Sequence, residues 1–280
     1  MNNQSHTSNV VNIYDAHPIN EGQILEKMKL DGVDLAALTE DILQNYDMDH
    51  YDGLAAIDKL AQSAGIEAGS HVLDVASGMG GPARYLAHNY GCQVTGIDLT
   101  TSRVEGAQRL TDMSGLSDKV KFQTANALEN PYPDQTFDVV IGQEAWCHIP
   151  DKPQLIKECV RVTKVGGCLA FTDILERGGL SPEHRDEISQ GLGYSKLGTL
   201  SDYQVFLEQA GCVVEEVEDL SARWAVILRE RLEMYKSLRP QTIEMLGIEA
   251  FERWDHVYTL YVDQIEKGHL GGGRFLARRG

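Results

Sequence analysis

The sequence predicts an α/β fold built on a doubly wound, mostly parallel seven-stranded sheet, and two observations carry this prediction. First, short apolar segments alternate from residue 71 onward with segments whose apolar residues recur at helical spacing. Continuous apolar strands separated by helices are typical of a parallel sheet that helices cover on both faces. Second, the chain of 280 residues is 42% hydrophobic and 24% charged, which is the composition of a globular protein with a sizeable core.

The predicted strands follow one another along the chain as HVLDVA, CQVTGIDL, VKFQTA, FDVVIGQ, CLAFTDIL, CVVEEVEDL and GRFLARR. Before them we expect a flexible tail and lid over residues 1–18, mobile in its first ten or so residues, and a helical cap over 19–66. The core then covers 67–280, with inserted helices at about 176–200 and 221–267. The second insertion precedes GRFLARR, so a helical pair interrupts the sheet before its last strand.

Charge and cysteine usage exclude several classes of partner. Lys and Arg number 25 against 42 Asp and Glu, and the net charge of −17 repels nucleic acid and anionic membrane surfaces. No apolar stretch approaches the ~18 residues that a membrane span needs. The five cysteines are odd in number and never spaced as CxxC, which argues against a disulfide framework and a structural zinc site. We therefore expect a cytoplasmic protein without a metal, whose partners are neither nucleic acid nor a membrane.

The segment HVLDVASGMGGPARYL is typical of a strand, a tight turn and a helix that together bind a nucleotide-like ligand. Gly78, Gly80 and Gly81 lie in the turn, where a missing Cβ lets backbone N–H groups approach a ligand. Asp98 follows about 20 residues later, at the end of the second strand, where a carboxylate accepts hydrogen bonds from a ribose diol. Alone, the glycines also fit a purely structural turn or a dinucleotide fingerprint.

Two longer segments carry a family resemblance. VLDVASGMGGPARYLAHNYGCQVTGIDLT and ANALENPYPDQTFDVVIGQEAWCHIPDKPQLIKECVRVTKVGGCLAFTDIL resemble the core of class I S-adenosylmethionine-dependent methyltransferases, which have a Rossmann-like fold. The resemblance covers roughly 70–280 and is closest to the sarcosine and dimethylglycine N-methyltransferases and their phosphoethanolamine-methylating relatives. It implies S-adenosylmethionine as cofactor and a last strand antiparallel to the others. A nicotinamide-dependent oxidoreductase would leave the PYPDQTFDVVIGQ block and the trailing helical insertion unexplained.

The resemblance also implies where the cofactor binds. Asp74 would orient the amino group of its methionine part, while Gly78 and Gly80 make room for it. Asn126 lies at the adenine position, where the family more often has an acidic residue, and its amide oxygen still accepts a hydrogen bond. The full set of predicted cofactor positions is Asp74, Ala76, Gly78, Gly80, Asp98, Leu99, Asn126, Ala127, Leu128 and Gln143.

The methyl acceptor is expected at the loop that follows the fourth strand, because the carboxyl ends of parallel strands border the ligand crevice. His148 lies in this loop and is predicted to be catalytic, since histidine is a base near neutral pH and the phosphoethanolamine-methylating relatives have a catalytic histidine there. Tyr14 is predicted to be catalytic as part of the lid. Trp146, Tyr51 and Tyr194 are predicted to bind substrate, with core packing of Trp146 as the alternative. Glu144 matches an acidic family position and is expected to order the loop or to face solvent.

The predicted function is methyl transfer from S-adenosylmethionine to a small molecule, with N-methylation of a small amine such as sarcosine or dimethylglycine as the leading hypothesis. The same scaffold hosts O- and C-methyltransferases, and a fold does not determine a substrate. A non-catalytic module that binds the cofactor is the remaining alternative.

Overall fold

The computed structural model describes residues 3–15 and 19–280. Its centre is one seven-stranded sheet. The strands are β1 (His71–Val75), β2 (Gln93–Asp98), β3 (Val120–Thr124), β4 (Phe137–Gln143), β5 (Thr163–Glu176), β6 (Cys212–Asp219) and β7 (Leu270–Arg279). They lie in the order β3-β2-β1-β4-β5-β7-β6, and β7 runs antiparallel to both of its neighbours while the other pairs are parallel. The predicted sheet and its antiparallel last strand are confirmed.

The apolar residues of the strands supply two cores, one on each face of the sheet. Along β1, Leu73 and Val75 point into the first core and Val72 into the second, as the two-residue period of a strand requires. Phe171 of β5 belongs to the first core, whereas its neighbour Ala170 belongs to the second. Helices cover both faces, so the central strands β1 and β4 are mostly buried, whereas the edge strands β3 and β6 carry exposed polar residues.

Twelve α-helices are found in the described residues. Those of the N-terminal part are α1 (Asn3–Asp15), α2 (Glu21–Leu30), α3 (Glu40–Asp47) and α4 (Gly53–Ala64). Those between strands are α5 (Gly81–Asn89), α6 (Thr101–Met113), α7 (Lys152–Val162), α8 (Pro182–Leu192) and α9 (Leu200–Gln209). The insertion before β7 contains α10 (Ser221–Ser237), α11 (Arg239–Leu246) and α12 (Ile248–Glu266). None of these helices is long and apolar enough to cross a bilayer.

The first helix differs from the sequence prediction, which placed a mobile tail there. Residues 3–15 form α1, while 1–2 and 16–18 lie outside the described residues. Polar composition suggested a tail, but His6 and Val10 are buried against the core, at 8% exposure each. The His6 ring nitrogen Nε2 lies 2.8 Å from the carbonyl oxygen of His148. Contacts with a distant loop therefore order a segment that has little apolar surface of its own.

A buried ion network fixes the helical cap on the glycine-rich turn. Arg84 of α5 is fully buried and pairs with Asp47 and Glu40 of α3. Burial raises the pKa of Glu40 to about 8, and the charge of Arg84 opposes this shift. A Cβ on Gly81 would lie 2.8 Å from the carbonyl oxygen of Asp47. This distance is too short, so only glycine fits at position 81 while α5 packs against the cap.

Candidate active site at the carboxyl edge of the sheet

The turn after β1 has backbone conformations that favour glycine. Ala76, Gly78 and Gly80 all have positive φ angles, of 64°, 54° and 80°. A Cβ built on Gly78 meets nothing within 4 Å, so its backbone faces open space. On Gly80 a Cβ would lie 2.4 Å from the ring of Phe122, so this glycine is required by packing inside the protein. The Cβ direction of Gly80 thus points to the protein interior, and the expectation that the backbone of Gly80 makes room for the cofactor stays a prediction.

Asp98 fixes the turn from the end of β2. Its Oδ2 accepts a hydrogen bond from the Gly78 N–H at 2.9 Å, and its Oδ1 accepts one from the Thr100 N–H at 2.8 Å. Burial raises the pKa of Asp98, although both hydrogen bonds favour the ionised form. Each carboxylate oxygen has a second lone pair, which is the acceptor that a ribose hydroxyl needs.

Buried polar atoms without a partner line the same crevice. Among the described residues, Asp74 Oδ2, Ser77 Oγ and both amide atoms of Gln143 have no hydrogen-bond partner. These three residues are at most 6% exposed. Leaving such groups unpaired costs about 1–3 kcal/mol each, so they indicate a polar ligand. Burial raises the pKa of Asp74 to about 7, with a contribution from the charge of Asp98 that His50 opposes.

The amino-acid end of S-adenosylmethionine fits these atoms. Asp74 offers an acceptor to its ammonium group, and the Gln143 amide and the Ser77 hydroxyl offer both donors and acceptors to its polar atoms. The predicted adenine position, Asn126, follows the end of β3. There the Asn126 Oδ1 accepts from the Leu128 N–H at 3.0 Å and holds a short 3₁₀ turn that presents Ala127 and Leu128. Leu99 is partly exposed beside Asp98.

Tyr14 and His148 form a hydrogen-bonded dyad. The Tyr14 hydroxyl lies 2.7 Å from His148 Nε2, and the two rings pack edge to face at 5.2 Å. His148 Nδ1 lies 3.0 Å from the carbonyl oxygen of Gly193. Because a carbonyl oxygen only accepts, Nδ1 carries the proton and Nε2 of the neutral ring accepts from Tyr14. The structure therefore brings together the two residues that the sequence predicted to be catalytic.

The dyad adjoins the nucleotide crevice. Burial of the Tyr14 hydroxyl raises its pKa well above the ordinary value, and the negative charge of Asp98 adds to the shift. Tyr14 consequently remains protonated at neutral pH. Arg103 of α6 donates to the backbone carbonyl oxygens of Tyr14 at 3.0 Å and Ile19 at 2.5 Å, and so holds the end of α1 over the crevice.

The predicted substrate-binding aromatics have three different surroundings. Tyr194 packs beside the dyad, with its ring 5.3 Å from that of His148. Tyr51 packs edge to face on Trp224 at 4.8 Å, in the same buried cluster as Tyr194. Trp146 is fully buried, stacks on Phe171 at 4.2 Å and points its Nε1 at the Val75 carbonyl. The prediction that Trp146 binds substrate is wrong, because the indole is part of the sheet core.

Glu144 joins the loop after β4 to the helical cap. It has a φ of +53°, and its Oε2 accepts from the Tyr51 N–H at 3.0 Å and lies 3.3 Å from His50 Nδ1. Burial opposes a charge on His50, but the carboxylates of Glu144, Asp49 and Asp74 raise the pKa of His50. The expectation that Glu144 orders this loop agrees with these contacts.

Sequence reasoning missed several residues of the site, namely Ser77, His50, Arg103 and Gly193. Ser77 lies within the glycine-turn segment, whereas His50, Arg103 and Gly193 belong to no recognisable motif. Arg103 and Gly193 act through backbone carbonyls, and this kind of contact leaves no pattern in the sequence. The adjacency of Ser77 to Gly78 was the one available signal.

A parallel sheet of this order, a glycine turn closed by an acidic residue on β2, and unpaired polar groups beside it define a class I S-adenosylmethionine-dependent methyltransferase. A family model described as "Methyltransferase domain" matches residues 73–171. The 27-O-demethylrifamycin SV methyltransferase of Amycolatopsis mediterranei is 33% identical over 198 residues, which cover 70% of this chain and 73% of that protein. The chain belongs to this methyltransferase family.

Two further similarities agree with the predicted resemblance. The sarcosine/dimethylglycine N-methyltransferase of Halorhodospira halochloris is 29% identical over 214 residues, or 75% of this chain and 76% of the relative. The structure of phosphoethanolamine N-methyltransferase 2 of Haemonchus contortus in complex with S-adenosyl-L-methionine has a TM-score of 0.76. Its sequence identity is 21%, and the match covers 96% of this chain and 59% of that chain, so it bears on the fold.

Proposed function

We propose that this enzyme methylates the nitrogen of a small amine, with the Tyr14–His148 dyad removing the acceptor's proton. The observation that carries the proposal is the 2.7 Å contact between the Tyr14 hydroxyl and His148 Nε2, at the carboxyl edge of the sheet. Bound S-adenosylmethionine supplies an electrophilic methyl group on a sulfonium. The protein therefore has to align the acceptor, exclude water and leave the acceptor with a free lone pair.

Removal of a proton is the costly part for an amine. An alkylammonium with a pKa of ~10.4 is almost fully protonated at pH 7, so forming the free amine costs about 4–5 kcal/mol. In the dyad, the acceptor proton passes to the Tyr14 oxygen while the Tyr14 proton passes to His148 Nε2, which becomes imidazolium. The Gly193 carbonyl stabilises that cation through Nδ1, at 3.0 Å. His148 is thus the terminal base, and Tyr14 is the group that takes the proton from the acceptor.

The surroundings of the dyad favour a cationic acceptor before deprotonation. The Tyr194 ring lies 5.3 Å from that of His148, and aromatic rings attract ammonium groups. The Tyr51 ring already has the Arg231 guanidinium 5.0 Å from its centroid, and the Tyr51 backbone is held by the carboxylate of Glu144. Asp98 contributes its negative charge at Tyr14, where the charge of Arg103 opposes it. We assign Tyr194 to acceptor binding on this basis, and Tyr51 to the adjoining wall of the acceptor site.

In the same proposal, the cofactor is held along the crevice between β1, β2 and β4. Asp74 and Gln143 bind its amino-acid end, the Gly78 backbone approaches it, and Asp98 binds the ribose. The unpartnered atoms of Asp74 and Gln143 and the open space at Gly78 support these assignments. Ala76, Leu99, Asn126, Ala127 and Leu128 line the remainder.

O-methylation of a hydroxyl is the second candidate, because a relative with 33% identity bears the name of an O-methyltransferase. A positioned histidine base also assists the removal of a hydroxyl proton during methyl transfer. The Tyr14–His148 geometry serves both reactions, so the acceptor atom has to be identified directly.

The test is methyl transfer from cofactor labelled in the methyl group to a panel of small amines, alcohols, phenols and carboxylates, each at several pH values. We expect labelled N-methyl products, with kcat/KM rising between neutral and mildly alkaline pH as the amine loses its proton. Carboxylates are already ionised at neutral pH and should show no such rise. Labelling of oxygen or carbon acceptors alone would overturn the N-methyltransferase proposal and leave the cofactor site intact.

A further inference from the structure

The short turn that carries His148 is hydrogen-bonded on both sides by buried polar side chains. Asp173 of β5 accepts from the Cys147 N–H at 2.8 Å, and its second oxygen accepts from the Tyr203 hydroxyl at 2.6 Å. On the other side, Lys152 Nζ donates to the carbonyl oxygen of Ile149 at 2.5 Å. The backbone immediately before and after His148 is therefore fixed by residues from two different elements.

Lys152 is an unusual residue at this place. It is 4% exposed and is the first residue of α7, where the helix dipole disfavours a positive charge. Burial lowers the pKa of Lys152, and the charge of Asp173 opposes that shift. A buried lysine at a helix N-terminus lowers stability unless hydrogen bonds compensate, and Lys152 makes two of them, both to the segments that flank His148 and Gly193.

Ser195 connects Lys152 to the partner of the His148 ring. Lys152 Nζ donates to Ser195 Oγ at 2.9 Å, and the Ser195 N–H donates to the Cys147 carbonyl oxygen at 2.8 Å. Ser195 lies two residues after Gly193, whose carbonyl accepts the His148 Nδ1 proton. Gly193 has a φ of +72°, and a Cβ there would lie 3.5 Å from His148 Nδ1 and 3.1 Å from Ile13. The position of this carbonyl thus depends on a segment that Ser195 anchors to the turn.

We propose that Lys152 is a positioning residue, which acts through Ser195 and the Ile149 carbonyl to hold the His148 ring against Gly193 with its proton on Nδ1. The proton-accepting nitrogen Nε2 then faces Tyr14. In water a neutral imidazole populates both tautomers. If segment 193–195 were loosened, Nε2 of His148 would carry the proton part of the time. In that tautomer Nε2 cannot accept a proton from Tyr14. The inference rests on the proposed role of His148 as a base.

The first experiment needs no acceptor and therefore stands apart from the proposed function. Imidazole ¹⁵N shifts of His148 are recorded at pH 8 in the full chain, with the resonance assigned through the His148→Gln variant. We expect a protonated Nδ1 and an unprotonated Nε2 in the wild type. In Lys152→Met and Ser195→Ala, both shifts should move toward the average of the two tautomers. Lys157→Met, on an exposed position of the same helix, is the matched control and should leave them unchanged.

The second experiment uses the acceptor found in the labelling panel. We expect kcat to fall at least tenfold in Lys152→Met and Ser195→Ala, while the Kd of S-adenosylhomocysteine changes less than twofold. Ser195→Thr retains the hydroxyl and should recover most of the activity. If Lys152→Met does not fold, Ser195→Ala alone decides the question. Unchanged ¹⁵N shifts in Ser195→Ala would overturn the proposal, whatever the acceptor proves to be.

Discussion

The carboxylate of Glu144 accepts a hydrogen bond at 3.0 Å from the backbone N–H of Tyr51, a residue 93 positions earlier in the chain. This contact ties the helical cap to the loop that carries His148. Glu144 adopts a φ of +53°, which is unfavourable for a residue with a side chain and is found mainly where the surroundings enforce it. The cap and the catalytic loop therefore form one unit, and the position of Tyr51 depends on Glu144.

Replacing Glu144 should weaken the attachment of the helical cap to the loop that carries His148. In Glu144→Ala the Tyr51 N–H loses its acceptor, and we expect the free energy of unfolding to fall by about 1–3 kcal/mol. Urea denaturation measures the change. Glu144→Gln retains an oxygen acceptor and should lose less than half as much. Equal stabilities for the Ala variant and the wild type would show that the contact does not hold the cap.

Asp98 should matter for the cofactor more than for the fold. Asp98→Asn removes the charge that strengthens hydrogen bonds to the ribose, and we expect binding of S-adenosylmethionine to weaken by ~1.5–3 kcal/mol. Isothermal titration calorimetry gives the Kd, and Asp118→Asn, at an exposed position, serves as control. An unchanged Kd in Asp98→Asn, or tight binding of NAD by the wild type, would contradict the cofactor assignment.

Cofactor affinity should depend on pH through Asp74, whose pKa burial raises to about 7. A carboxyl group with a raised pKa stabilises the fold in its protonated form. That contribution is complete below the unfolded pKa of ~3.9 and is lost as pH rises through about 7. Binding of the cofactor ammonium has the opposite sign, because it requires the ionised carboxylate.

We therefore expect the affinity for S-adenosylhomocysteine, which has the same amino-acid end, to rise about tenfold between pH 5.5 and 7. Calorimetric titration at several pH values measures it, below the range in which an α-amino group with a pKa near ~7.7 loses its proton. Asp74→Asn should bind more weakly and with a flat profile. A wild-type affinity independent of pH would show that Asp74 does not face the ammonium group.

The sequence predicted the sheet well because its signal is local. The central strands contain short apolar runs such as FDVVIGQ, and burial on both faces makes these runs stand out from the helices between them. Gly78 and Asp98 were predicted to act together for the same reason, since their spacing follows from one strand, one turn and one helix. The direct hydrogen bond between them at 2.9 Å agrees with that argument.

The errors concern residues whose surroundings come from distant parts of the chain. Trp146 lies in the loop at the site, yet Phe171 of β5 supplies a stacking surface that buries it. The polar segment 3–15 is helical, and the ring of His6 in it contacts the carbonyl oxygen of His148. In both cases a tertiary contact outweighs the local pattern.

Tyr14 and His148, which lie 134 positions apart in the chain, are predicted to move the same proton during methyl transfer. His148→Ala removes the terminal base, and general base catalysis contributes ~10²–10⁴-fold, so kcat should fall by this factor while the Kd of S-adenosylhomocysteine stays within twofold. Tyr14→Phe removes the hydroxyl that conveys the proton, and its kcat should fall comparably. Because both act on one proton, the double variant should be no slower than the slower single variant, whereas independent roles would multiply the losses.

Tyr46→Phe is the matched control, since the Tyr46 hydroxyl bonds Asp31 within the helical cap at 3.1 Å and should not affect turnover. Steady-state kinetics with the acceptor from the labelling panel measure all four variants, and multiplicative losses would mean that Tyr14 and His148 act separately.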